Sequence, residues 1–360
     1  VKNRVYLDWN ASAPLRPEAY EAVVHALSVA GNPSSVHAEG RAARGIVEKA
    51  RSQVAALAGC KSGEVIFTSG ATEAASLLRH LPRTSAVCVE ETAHDCLWAH
   101  HDLTGAQDNH GGPGHVLAAG LANSETGIVA EINANKDGRY EYGAIRCDSL
   151  FLDVVQAIGR IPWSFHWSGA TAAIVSAHKL GGPRGVGALL LKDGTDIDAI
   201  LQGGGQELGR RSGTENVAGI AGFGAACGAA ARDLDAGLWI EVEKLRNILD
   251  SALASAAKET ILVGNDRLRL PNTSCFATPG WKGETQVMQM DLAGFAVSSG
   301  SACSSGKVKV PRVLNAMGLD NRTAEGALRV SLGPTTTEDE VLRFVDAWLK
   351  QESKFRQRAA

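Results

Sequence analysis

The stretch IVSAHKLGGPRG, Ile174 to Gly185, sets a lysine at the end of an apolar run and in front of a glycine-rich turn. Lysine ordinarily sits on a solvated surface, because taking its ammonium out of water is costly. Here Ser176, His178 and Lys179 stand together where a strand-like run gives way to Gly181 and Gly182. A lysine in such a place, with neighbours that depress its pKa, can form a Schiff base with an aldehyde cofactor.

The surrounding sequence repeats the strand-then-turn pattern. From about residue 60 to 232, EVIFTSG, AVCVE, HVLAAGLA, LFLDVV, AAIVSAHK and GALLLKD read as short strands. They are apolar nearly throughout, as strands of a parallel sheet covered on both faces must be. ATEAASLLRHL reads as a helix, and TENVAGIAGFGAACGAAARDL as a long helix rich in small residues. PEAYEAVVHAL and RAARGIVEKARSQVAALA, earlier in the chain, are amphipathic helices. After residue 233 the pattern changes: a helix from Leu238 to Ala256, short strands at ILVG, TSCFAT, FAVSS and ALRVSL, and a last helix behind Thr337. Thr337 and Glu340 make a capping box. The fold class is α/β: a large domain over 16–233 with a mainly parallel sheet covered by helices, and a smaller α+β domain from 1–15 and 234–360. The glycine-rich DNHGGPGHV, 108–116, reads as a surface loop.

Composition removes several function classes. The 360 residues carry a net charge of −3 and 5% aromatics, without a dense Lys/Arg run, which argues against nucleic acid as a partner. No apolar run approaches the roughly 20 residues needed to span a membrane. The opening VKNRVYLDWN lacks the apolar core of a signal peptide, so the expected setting is the cytoplasm. Seven cysteines are widely spaced with no CxxC, which argues against a disulfide framework or a zinc ribbon.

If Lys179 carries pyridoxal phosphate, three more things are needed: an acid for the pyridine nitrogen, donors for the phosphate, and a flat group against the ring. Asp153, with Gln156 three residues on, ends the run LFLDVVQAIG. Alone, such an aspartate also reads as a helix N-cap. SGATEA is a strand-to-helix turn, where the N–H groups of Ala71 and Thr72 can seat a phosphate. His94, in ETAHDC, follows the strand AVCVE. HDCLWAHH spaces His94, Cys96, His100 and His101 in no common zinc pattern, so no metal is expected. GGPRGVG lacks the dinucleotide fingerprint, and Gly203 to Gly205 are not followed by the G-K-[ST] of a phosphate loop.

SAHKLGGPRGVGAL, QGGGQELGRRSGTEN and SSGSACSS together resemble the cysteine desulfurases, pyridoxal phosphate enzymes of the class V aminotransferase group with the fold-type I architecture. YLDWNASAP, GNPSSVHAEGRAAR, FTSGATEA, ANSETG, DVVQAIG and ALRVSLG match the same family in the same order. The resemblance implies that Lys179 carries the cofactor, Asp153 pairs its pyridine nitrogen and Gln156 its ring hydroxyl. It implies that His94 stacks on the ring and moves protons. Ala71, Thr72, Ser176 and His178 hold the phosphate, and Thr214 reaches the phosphate of the other subunit in a homodimer. Arg329 clamps the substrate carboxylate with two prongs; read bare, an arginine on a strand is a surface ion pair. Asn123 meets cofactor and substrate, and Ser124 stands where the family often has a second asparagine.

By the same resemblance Cys303, in the small-residue run SSGSACSSGK, attacks the sulfur of L-cysteine and becomes a persulfide. Alanine leaves, and the sulfur passes to an acceptor such as an iron–sulfur scaffold protein. Such a loop is poor core material and suits a mobile thiol. The departures are Ser124, the loss of two threonines in YLDWNASAP, and shortened stretches after Thr72 and His94. The shortened stretches and the altered YLDWNASAP keep open a cofactor-binding scaffold or regulatory protein without turnover; within the superfamily the rival is a selenocysteine lyase or other β-lyase, which a serine in place of Cys303 would have favoured.

Overall fold

The computed structural model describes residues 4–81, 84, 86–101, 114–134, 138–142, 145–300 and 311–359. Contacts divide the chain into two units. The large one is Ala13–Leu121 with Ala130–Asp235, and the small one is Val1–Ser12, Ala122–Val129 and Ala236–Ala360.

The large unit is built on a six-stranded sheet: β1 (Val65–Thr68), β2 (Ala86–Val89), β3 (His115–Gly120), β4 (Ser149–Asp153), β5 (Ala172–Ser176) and β6 (Gly187–Leu191). Their order across the sheet is β1-β6-β5-β4-β3-β2. Side chains alternate between two cores. Phe67, Leu117, Leu152 and Val175 pack on one face, and Ile66, Val116, Phe151 and Ile174 on the other. A strand buried on both faces has no polar side to show, so these runs are apolar throughout.

The ladders β2–β3, β3–β4 and β4–β5 are parallel, whereas β6 runs antiparallel to both β5 and β1. The sheet is therefore mixed and mostly parallel. One reversal on each side of β6 restores the direction of β1. Hence β1, β2, β4 and β5 all end on the same edge of the sheet. Three short strands, Asn133–Ala134, Tyr140–Tyr142 and Ile145–Cys147, form a separate antiparallel sheet in this unit.

Helices α1 (Pro17–Leu27), α2 (Ala38–Ala58) and α5 (Val217–Asp235) belong to the same unit. Small residues let α5 lie close to α2: a Cβ added at Gly224 would fall 2.5 Å from the Ala50 Cα. The helix read over ATEAASLLRHL is shorter than its sequence pattern. The α-helix α3 covers Ala71–Ser76, and Leu77–His80 tighten into a 3-10 turn.

The small unit contains a four-stranded antiparallel sheet from β7 (Ile261–Leu262), β8 (Thr273–Ala277), β9 (Ser298–Ser299) and β10 (Ala327–Ser331), ordered β7-β8-β10-β9. Helices α6 (Leu238–Ala256) and α7 (Glu338–Ala359) accompany it. The capping box before α7 is formed: Thr337 N–H donates to Glu340 Oε2 at 2.9 Å, and Glu340 N–H to Thr337 Oγ1 at 3.3 Å. Val5–Tyr6 pairs in parallel with Phe295–Ala296. Among the described residues, no helix is long and apolar enough to cross a membrane.

Candidate active site

The common edge of the large sheet gathers most of the residues singled out in the sequence. In open α/β sheets, ligands bind beyond the carboxyl ends of the strands. Beyond β1 comes the turn into α3, beyond β2 His94, at the end of β4 Asp153, and beyond β5 the turn Ala177–Lys179. Asp153 is paired in register with Ile174, so the ends of β4 and β5 are neighbours.

Lys179 is half-buried at the close of a fully buried strand. Its carbonyl accepts a 3.4 Å hydrogen bond from Arg160 Nη2. Arg160 Nη1 donates to Gln156 Oε1 at 2.7 Å, and both side chains are buried. Arg160 thus ties Gln156 to the lysine turn. The motif QAIGR contains it at i, i+4, but nothing in that spacing identifies its second partner across the site.

Asp153 Oδ1 accepts the Val155 N–H at 2.9 Å. That bond is the local cap which such an aspartate makes when read alone. Burial raises the Asp153 carboxyl's pKa overall, and the charge of His94, the Val155 bond and the charge of Lys179 offset it only in part. A cationic partner, as a protonated pyridine nitrogen would be, is what favours the ionised carboxylate at such a place. His94 caps the short helix α4 (Asp95–Trp98), its Nδ1 accepting the Cys96 N–H at 3.1 Å. The ligand atoms of His94, Cys96 and Asp153 all lie within 4.8 Å of one another.

The turn into α3 begins at Gly70, where no side chain caps the helix. Ala71 and Thr72 therefore head the helix without a side-chain acceptor, as an anion seat requires. The turn lies against the start of β6: a Cβ on Gly187 would sit 2.8 Å from the Gly70 Cα. Ser176 is buried at the end of β5. His178 has its pKa pushed down to about 4, first by burial and then by the charges of Lys179 and Arg184. A neutral imidazole remains, with N–H donor capacity. Lys179, Asp153, buried Gln156 and the uncapped α3 turn together fit pyridoxal phosphate.

Thr214 is exposed, in the segment after β6. That segment is anchored by a partly buried ion pair. Arg51 Nη1 and Nη2 donate to Glu207 Oε2 and Oε1 at 2.7 and 2.8 Å, and Phe67 N–H donates to Glu207 Oε2 at 3.0 Å. Glu207 and Leu208 are held at φ of +51° and +58°, a left-handed backbone that non-glycine residues adopt only under constraint.

The small unit holds Asn123, Ser124 and Arg329. Asn123 Oδ1 accepts the Glu125 and Thr126 N–H groups, both at 2.9 Å. Ser124 is fixed through its carbonyl, which accepts from Arg329 Nη1 at 3.0 Å and Asn10 Nδ2 at 3.3 Å. Arg329, on β10, is buried and paired with Asp8 at 2.8 Å. Asp8 also accepts the Ser298 hydroxyl at 2.8 Å. Sequence reasoning overlooked Asp8, although it sits in the YLD motif.

Cys303 lies outside the described residues. The six described cysteines are free thiols. Burial pushes Cys60 and Cys275 up to about 12 and also raises Cys96 and Cys227. Cys147 is raised by contact with the Cys88 thiol and by burial. A raised thiol is a poor source of thiolate near neutrality.

The family model for class-V aminotransferases matches residues 5–96 and 102–344. A cysteine desulfurase of Enterobacter agglomerans is 34% identical, with 95% of this chain and 90% of that protein covered. One of Frankia sp. strain EuIK1 is 38% identical, covering 95% and 90%. A solved NifS-like protein from Rickettsia africae superposes with a TM-score of 0.82 at 27% identity, covering 96% of this chain and 99% of that one. A match over most of the chain, carried by a fold of the same layout, shows that the chain belongs to the class-V aminotransferase family.

Proposed function

We propose that this chain is a pyridoxal phosphate-dependent cysteine desulfurase, converting L-cysteine to L-alanine and leaving a persulfide on Cys303. The observation that carries the reading is Lys179, half-buried just past a buried strand, whose neighbouring strand ends on the same sheet edge at Asp153. Family membership supplies the chemistry that fits this pair.

Bound pyridoxal phosphate supplies an aldehyde carbon for amine attachment and a ring that draws electron density from the substrate's α-carbon. The chain's own groups do the rest. Lys179 would hold the cofactor's aldehyde carbon, and its amine is a base for the substrate's α-proton. Asp153 would keep a positive charge on the pyridine nitrogen, favouring electron withdrawal. His94 would lie against the ring and share in proton movement. Gln156, oriented by Arg160, would meet the ring hydroxyl. Ala71, Thr72, Ser176 and neutral His178 would donate to the phosphate. Arg329 binds the substrate carboxylate, held in place by Asp8. Asn123 would meet cofactor and substrate, and Ser124 is held beside it.

The Cys303 thiolate attacks the substrate Sγ. A new S–S bond forms as the Cβ–S bond breaks, and the electron pair left on carbon is protonated to give alanine. Holding thiolate and sulfur together contributes about 7 kcal/mol or more when alignment is good. The persulfide then passes to a sulfur acceptor, such as an iron–sulfur scaffold protein. We place the enzyme in the cytoplasm as a homodimer, with Thr214 completing the partner's phosphate site.

The test is release of sulfide and alanine from L-cysteine, with dithiothreitol present to reduce the persulfide and free its outer sulfur, by the wild-type chain and by Cys303→Ser. Equal amounts of both products, lost in the variant, support the reading. Turnover that survives the substitution overturns the nucleophile, and absence of sulfide from the wild type overturns the activity.

A further inference from the structure

Cys96 has no part in the reaction proposed above, yet its thiol is brought to the same place as two groups that do. The cause is local. His94 turns back to accept the Cys96 N–H at 3.1 Å, which sets both side chains at the head of α4. Asp153 arrives from the end of β4, so the cluster joins separate elements of one sheet edge. Its Oδ1 is engaged by the Val155 N–H, and a carboxylate oxygen accepts more than one partner.

The three donors are an imidazole nitrogen, a thiol sulfur and a carboxylate oxygen, mutually within 4.8 Å. Around a tetrahedral zinc with bonds of 2.0–2.3 Å, such donors sit roughly 3.3–3.8 Å apart. Closing that gap takes a side-chain shift of about an ångström and release of the Cys96 N–H from His94 Nδ1, whose single lone pair then serves the cation. The donor set is also selective: thiolate and imidazole favour zinc-like cations over magnesium or calcium, which take oxygen. Cys96 is 9% exposed, so a cation held there is largely out of water; it displaces the thiol proton to solvent, and thiolate and carboxylate then meet its charge together. The pattern His94, Cys96, His100, His101 fits no zinc spacing because the third donor comes from another strand.

We propose that the cofactor-free chain binds one zinc-class divalent cation through His94, Cys96 and Asp153, with a fourth position open to water. The site then excludes pyridoxal phosphate, a consequence that rests on the placement of His94 and Asp153 against the cofactor in the function proposed above. Zinc and cofactor would compete for one set of side chains, and zinc would hold the enzyme in an unloaded form.

The experiment uses the full-length chain stripped of cofactor, titrated with zinc chloride against a chromophoric chelator. One equivalent is expected to bind, with affinity at least tenfold lower in Cys96→Ser and Cys96→Ala and unchanged in Cys303→Ser. Cobalt in place of zinc should give a thiolate-to-metal absorption that both Cys96 variants lose. No stoichiometric binding, or binding indifferent to both Cys96 variants, overturns the site. Added pyridoxal phosphate should release the zinc to the chelator. Zinc that needs Cys96 but resists a full equivalent of bound cofactor supports the metal site and overturns the placement of the cofactor against His94 and Asp153.

Discussion

Buried Arg329 and half-buried Asp8 form an ion pair, 2.8 Å from Nη2 to Oδ1, across 321 residues of chain. The guanidinium also donates to the Ser124 carbonyl at 3.0 Å, while its Nε has no hydrogen-bond partner among the described residues. An arginine so held is pre-aimed, and little side-chain entropy remains to be lost on binding an anion. Asp8→Asn keeps the shape but leaves a buried cation without its carboxylate. Urea unfolding should show a loss of about 3 kcal/mol or more. Arg329→Lys removes the two-pronged geometry, and KM for L-cysteine should rise at least about tenfold, or ~1.4 kcal/mol. An unchanged KM would remove Arg329 from substrate binding.

Borohydride reduction of the cofactor-loaded protein should fix a cofactor-mass adduct on Lys179, found by peptide mass mapping. Lys179→Ala should give none. The strand end, the Asp153 carboxyl and the uncapped α3 turn all point to that lysine. An adduct on another lysine would move the site elsewhere.

Cys303→Ser should lower sulfide release by at least about 10², equivalent to ~2.7 kcal/mol of barrier. Mass mapping after one turnover should put the extra sulfur on Cys303. Cys60→Ala and Cys275→Ala, whose thiols burial pushes up to about 12, should leave turnover intact and alter stability alone.

His178 gives a pH dependence with a definite sign. Its folded pKa, about 4, lies below the ordinary histidine value of 6.5. The unfolded chain therefore takes up a proton first as pH falls, and stability depends on His178 staying neutral. The contribution is complete above about pH 6.5, falls between there and pH 4, and is lost below. Urea midpoints of the cofactor-free chain should drop over that window, and His178→Gln should flatten the drop.

The Arg51–Glu207 pair restrains a backbone that would otherwise relax. Glu207→Ala leaves Arg51 without its buried bidentate carboxylate and releases two left-handed residues. A loss of about 3 kcal/mol is expected, with faster proteolytic cutting between residues 203 and 213. Unchanged cutting would show that the turn is held by other contacts.

Much of this was open to reading from the sequence because burial leaves a pattern. The strands of the large sheet are apolar on both faces, and α6 runs from Leu238 to Ala256 as its periodicity predicts. Direction leaves no such trace: nothing in GALLL distinguishes an antiparallel β6 from a parallel one, since it is buried throughout either way. The three short strands between residues 133 and 147 are too short and polar to carry a period. The same division holds at the site. Lys179 stood out because a lysine after an apolar run breaks the pattern. Asp8, Arg160 and the approach of Cys96 to Asp153 did not, because their partners come from distant sequence.

The ladder that joins Val5–Tyr6 to Phe295–Ala296 bears on how the chain is made. On the ribosome, Val5 and Tyr6 emerge long before the strand they pair with. The large unit, Ala13–Leu121 with Ala130–Asp235, has all its segments in hand by residue 235. Pairing across so long a stretch of chain is slow to form, because closure entropy must be met before the contact repays it. Synthesis thus passes through a stage at which the sheet bearing Lys179 can assemble while the first strand waits, an exposed edge in search of a partner.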